Sequence, residues 1–148
     1  MPEQDRLQDL IEHDYWASLQ LFKLAEAQDQ LPEKVGQLIS HILAAQHIWI
    51  FRIEGETPGM NPWDQIERSQ WTRLLEIHFQ GLKKLSQREP DTTVSYSNTK
   101  GKTFENTTGD ILHHLTLHSQ YHRGQMAQLL KAEGLDIPGT DYIFYKRG

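Results

Sequence analysis

Apolar residues recur at helical spacing in four separate stretches, and each stretch is bounded by residues that start or stop helices. The first runs from about Asp5 to Ala27, with Leu7, Leu10, Ile11, Leu21 and Leu24 on its apolar side. The second starts near Pro32, a residue suited to a first helical turn, and reaches about Glu54. The third is expected after "DQIE", where Asp64 and Glu67 have capping-box spacing; its apolar face is Trp71, Leu74, Leu75, Leu82 and Leu85, and it continues to about Arg88. The fourth opens at "TTGD", where Thr107 and Asp110 repeat the capping-box spacing, and closes at Gly134. Four amphipathic segments in 148 residues predict an all-α chain: one domain over residues 1–148, folded as a four-helix bundle.

The connections fit this reading. "GETPGMNPWDQ", between the second and third helices, is rich in helix breakers, and a dozen extended residues reach about 40 Å, the full height of a bundle. Such a crossover permits helices two and three to run parallel. "TTVSYSNTKGKTFENT", between the third and fourth, alternates weakly around "NTKG" and predicts a short hairpin or flap. The aromatic tail "DIPGTDYIFYKRG" is expected to pack back on the bundle.

Composition narrows the chemistry. The net charge of −5 is dispersed, without the basic patch that binding to nucleic acid requires. No stretch is apolar enough for a membrane span, and "MPEQDRLQDL" has no signal-peptide character, so a cytoplasmic protein is expected. There is no cysteine, so any transition metal must be held by imidazole, carboxylate or water.

Against that background "HHLTLHSQYHRG" stands out, with His114, His118 and His122 spaced by four. At about 100° per residue, all three fall within about 40° of His118, on the strip that carries Ile111, Leu115 and Leu129. His113 points away. Imidazoles buried together need partners for their nitrogens, and a divalent cation supplies one. A third ligand is expected from another helix. His47, flanked by Leu43, Ala44, Ile50 and Phe51 on an apolar face, is the first candidate, whereas His41 lies off that face. The metal set is therefore His47, His118 and His122. Two alternatives stand beside it: a polar seam of hydrogen-bonded core histidines, and a ligand set that includes His114 or His78. His78 reads first as a hydrogen-bonded core histidine; His13 and Asp14 are possible outer-shell partners. An H-E-x-x-H protease is excluded because Ser119 and Gln120 follow His118, and no glutamate has a histidine three residues on, as a di-iron carboxylate bundle requires.

"HILAAQHIWIFRIEG", "DILHHLTLHSQYHRGQMAQLLKAEG" and the tail "IPGTDYIFY" make the chain resemble the DinB/YfiT-like family, a bacterial group of metal-dependent enzymes. The resemblance covers effectively the whole chain. It implies a bundle in up-down-down-up order and a three-histidine metal site, matched here to His47, His118 and His122. Members often carry Asn and His where this chain has Leu117 and Tyr121. Three neutral imidazoles leave a zinc, nickel or iron ion with an open position, as catalytic sites do. Such an ion lowers the pKa of water, polarises a carbonyl or holds a thiolate. The resemblance thus implies a thiol-dependent S-transferase using a low-molecular-weight thiol and a small-molecule substrate, and a homodimer. The alternatives are a metal-assisted hydrolase and a non-catalytic stress-response protein that binds metal or a small ligand. Gln125, Tyr142 and Phe144 are candidate pocket residues, and Arg123 is expected to serve helix packing or an interface.

Overall fold

In the computed structural model, which describes residues 2–148, four long helices carry the fold: α1 (Glu3–Glu26), α2 (Glu33–Ile53), α3 (Trp71–Leu85) and α4 (Thr108–Ala132). α1 packs against α3 and α4, and α2 packs against the same two. An antiparallel hairpin, β1 (Thr93–Ser97) and β2 (Thr103–Thr107), links α3 to α4 in the register Thr93↔Thr107 to Ser97↔Thr103. A short α5 (Tyr142–Arg147) ends the chain. Among the described residues no helix is long and apolar enough to cross a membrane.

Local chemistry accounts for most of the boundaries. At the start of α4 the Thr107 hydroxyl accepts from the Asp110 N–H at 3.0 Å, while the Asp110 carboxylate accepts from the Thr107 N–H at 3.4 Å. After α4, Gly134 takes φ +84°, the left-handed conformation that closes helices. In the hairpin turn the Asn98 side chain accepts from the N–H groups of Lys100 and Lys102, and Gly101 takes φ +79°. Arg52 ties the hairpin to α2: it donates to the Ser97 carbonyl at 3.2 Å and lies over the rings of Trp49 and Tyr96.

One expected boundary is corrected. The third helix does not start at Asp64–Glu67. It begins at Trp71 after a single 3-10 turn over Arg68–Gln70. The Asp64 carboxylate instead accepts from the Asn61 N–H at 2.8 Å, which closes a turn in the crossover. The tail does pack back. The Tyr145 hydroxyl donates to Glu12 at 3.2 Å and Lys146 pairs with Asp9 at 2.8 Å, both on α1.

The core falls into two apolar clusters. Leu21, Phe22, Val35, Leu38, Ile39, Leu75, Met126 and Leu130 belong to one, and Leu7, Ile11, Leu82, Leu85, Leu112 and Leu115 to the other. Between them each helix places polar side chains inside: His13, Asp14 and Ser18 on α1, Gln46 on α2, His78 on α3, and Ser119, His122 and Arg123 on α4. Arg123 is the clearest of these. Its guanidinium contacts the Asp14 carboxylate, donates to Ser18 at 3.0 Å and to Gln120 at 2.7 Å, and is 2% exposed. Its expected helix-packing role is therefore realised, through charge. Burial pushes the Asp14 carboxyl above its ordinary value, and the guanidinium opposes that shift.

A buried pair costs little to replace as a unit but much to break. Asp14→Ala is expected to destabilise the fold by about 3–5 kcal/mol, and the double variant Asp14→Leu/Arg123→Met to recover most of that loss. Urea denaturation checks it; a cost below about 1 kcal/mol for Asp14→Ala would contradict the assignment.

Candidate metal centre

The histidine strip of α4 does meet an imidazole from α2, but that imidazole is His41. His41, His118 and His122 each offer a ring nitrogen, and these nitrogens lie within 4.8 Å of one another. Their ring centroids are 4.5 to 4.8 Å apart and mutually tilted by 60 to 85°. No fourth histidine or carboxylate joins the group among the described residues.

The hydrogen bonds around the group orient its rings. His41 Nδ1 lies 2.6 Å from the Pro62 carbonyl, an obligate acceptor, so Nδ1 carries the proton and Nε2 keeps a lone pair. His122 Nδ1 is likewise 2.7 Å from the Gln125 side-chain oxygen, which leaves Nε2 the lone pair. His41 Nε2 and His118 Nε2 face each other at 3.0 Å, and His118 Nδ1 is buried without a partner. Three rings thus converge on one point with their outer protons either bound to oxygens or unpartnered. This is the arrangement imidazole ligands adopt, the outer N–H held by an acceptor and the inner nitrogen turned to a cation. Nitrogens bound tetrahedrally to zinc at 2.0–2.1 Å are about 3.3 Å apart; His41 Nε2 and His118 Nε2 are 3.0 Å apart, and all three ligand nitrogens lie within 4.8 Å of one another. The donor set fits a divalent ion.

Electrostatics points the same way. Burial, and then the neighbouring imidazoles, push His118 down to about 3, and burial also lowers His41. These rings are neutral at physiological pH, the protonation state that ligates metal.

His47, the expected third ligand, is elsewhere. Its Nε2 accepts from the Gly59 N–H at 2.9 Å and its ring stacks on Phe51, so its lone pair is spent on the crossover segment. The face arithmetic failed because α2 has no single buried face. From Val35 to Phe51 it contains no charged residue, and α3, α4, the crossover and the hairpin surround it. In such a helix His41 and His47 are both covered, and only the positions of the neighbours decide which one meets α4. The missing charges were the signal available in the sequence.

The remaining candidates separate cleanly. His78 is a buried core histidine whose Nδ1 bonds the Gln46 side-chain oxygen at 3.1 Å, as expected. His114 is exposed, lies edge-on to Trp49 at 5.6 Å, and is outside the cluster. Of the proposed outer-shell partners, Asp14 serves Arg123, and His13 Nε2 contacts the Thr140 carbonyl at 2.7 Å. Tyr142 packs edge-on against His13, and Phe144 lies over Gly139. Neither stacks on the three histidines; Gln125 does reach the site, as the acceptor for His122.

The sequence matches the DinB family over residues 5–148, and the chain belongs to that family. It is also similar to the protein DinB of Bacillus subtilis (strain 168), at 24% identity across 92% of this chain and 91% of that protein.

His78 is pushed down to about 4 by burial, with a smaller contribution from His47. Between that value and the unfolded value near 6.5 the unfolded chain binds the extra proton, so stability falls as pH drops through this window and levels off below it. The loss is on the order of 3 kcal/mol for the shift involved. Urea midpoints at pH 7, 5.5 and 4.5 for the wild type and His78→Leu should converge as the pH falls. A difference constant with pH would contradict it.

Proposed function

We propose that this DinB-family protein is a metal-dependent transferase in which His41, His118 and His122 hold a divalent ion and an external low-molecular-weight thiol is the co-substrate. The observation that carries the reading is the convergence of three imidazoles, two of them oriented by oxygen acceptors, with no fourth protein ligand among the described residues. A fully ligated structural ion would need that fourth group; a three-histidine set leaves a position for substrate. When bound, the ion supplies Lewis acidity and favours the thiolate form of a thiol at neutral pH. The rest is the work of the chain. Pro62 and Gln125 hold the rings of His41 and His122 in place. The neutral imidazoles add no negative charge that would repel a thiolate. A chain without cysteine has no competing thiol of its own, so the nucleophile comes from solution. The same reading takes the fold as the up-down-down-up bundle expected from the family resemblance.

Protein purified without a histidine tag is expected to take up one zinc or nickel ion per chain. His41→Ala, His118→Ala and His122→Ala should each weaken uptake by at least tenfold, and His47→Ala should leave it intact; metal analysis after dialysis against a weak chelator reads this. Metal-loaded protein should accelerate the reaction of a small thiol with an activated aryl halide, and His41→Ala should not. Full loading with no thiol-dependent turnover across a panel of thiols and electrophiles would overturn the transferase reading.

A further inference from the structure

Two large aromatic side chains stand exposed beside the histidine group and have no role in holding the fold's core. Trp63, from the crossover, is 49% exposed, and Tyr121, from α4, is 66% exposed. Single exposed apolar residues are ordinary on a protein surface. These two differ because both approach the same metal-site ring from separate chain segments. Tyr121 lies edge-on to His122 with centroids 5.0 Å apart, and Trp63 lies edge-on to it at 6.2 Å. Trp63 also stacks flat on His41, 3.7 Å between centroids and 3° from parallel. The stack, together with the bond from His41 to the carbonyl of the preceding Pro62, holds the indole in place before any ligand arrives. The Lys34 ammonium lies 5.0 Å from the indole centroid. One turn before Tyr121, Leu117 extends the apolar strip at 68% exposure.

A small hydrophilic ligand gains little from exposed indole and phenol rings beside the histidines. A flat apolar group placed beside them would cover surface that water now wets, and aromatic faces and edges favour another ring. We propose that Trp63 and Tyr121 are the specificity-determining walls of the histidine site, and that its ligand carries an aromatic ring next to the atom that meets the metal. This inference rests on the metal reading above and adds the class of substrate.

The test uses the full chain loaded with Co(II), whose visible absorption changes when a ligand enters its coordination sphere. Imidazole and 4-phenylimidazole present the same donor nitrogen, and one adds a ring. The wild type is expected to bind 4-phenylimidazole at least tenfold more tightly than imidazole. Tyr121→Ala, which leaves the Gln125 acceptor of His122 in place, should retain one Co(II) per chain and lose at least threefold of that preference. Trp63→Ala should lose most of it. Co(II) binding with equal affinity for the two probes, or a preference untouched in both variants, overturns this inference and leaves the metal reading standing. A chain that dimerises through Tyr121, shown by a change of sedimentation in Tyr121→Ala without a phenyl preference, overturns it too. Failure to bind Co(II) at all removes the metal reading and this inference with it.

Discussion

A layer of polar side chains crosses the middle of the bundle, and several of its buried groups find their partners on a neighbouring helix. Unpaired, any of them would cost more than most apolar contacts return. Arg123 of α4 meets Asp14 and Ser18 of α1; His78 of α3 meets Gln46 of α2; His118 of α4 meets His41 of α2. Three of the four helix contacts are thereby joined through polar groups at mid-height. The fourth, between α1 and α3, uses the stacked rings of Tyr15 and Phe79, 4.3 Å apart. The apolar clusters above and below supply the burial, while the polar layer fixes which helix lies beside which, because an apolar core alone tolerates slippage.

The candidate metal centre is where this layer turns several ring nitrogens on one another. Arg123 is provided with a carboxylate, and His78 with an amide oxygen. The three clustered imidazoles have acceptors for two outer nitrogens, leave the His118 Nδ1 without one, and turn their remaining nitrogens on each other. The crossover segment serves both ends of this arrangement, since Pro62 orients His41 and Trp63 covers it, while Gly59 occupies His47.

Much of this was legible in the chain. Helical period located α1, α2 and α4, and the Thr107–Asp110 capping box marked the start of α4. "NTKG" located the hairpin turn, and the four-residue spacing in α4 identified His118 and His122. Two readings failed for related reasons. Asp64 has cap spacing, but its carboxylate was taken by the backbone of Asn61, a local competition that spacing does not reveal. His47 has an apolar flank, but α2 is enclosed on nearly every side, and helical-wheel arithmetic ranks faces only when one of them is solvent. Which histidine of α2 meets α4 is a fact of tertiary packing.

The account depends most on where a metal ion sits. The most direct measurement is anomalous diffraction from crystals of zinc-loaded protein, collected on both sides of the zinc absorption edge. It should show one peak within about 2.2 Å of a nitrogen from each of His41, His118 and His122, with a non-protein ligand on the remaining side. A peak at His47 or His78, or a fourth protein side chain completing the shell, would contradict the account.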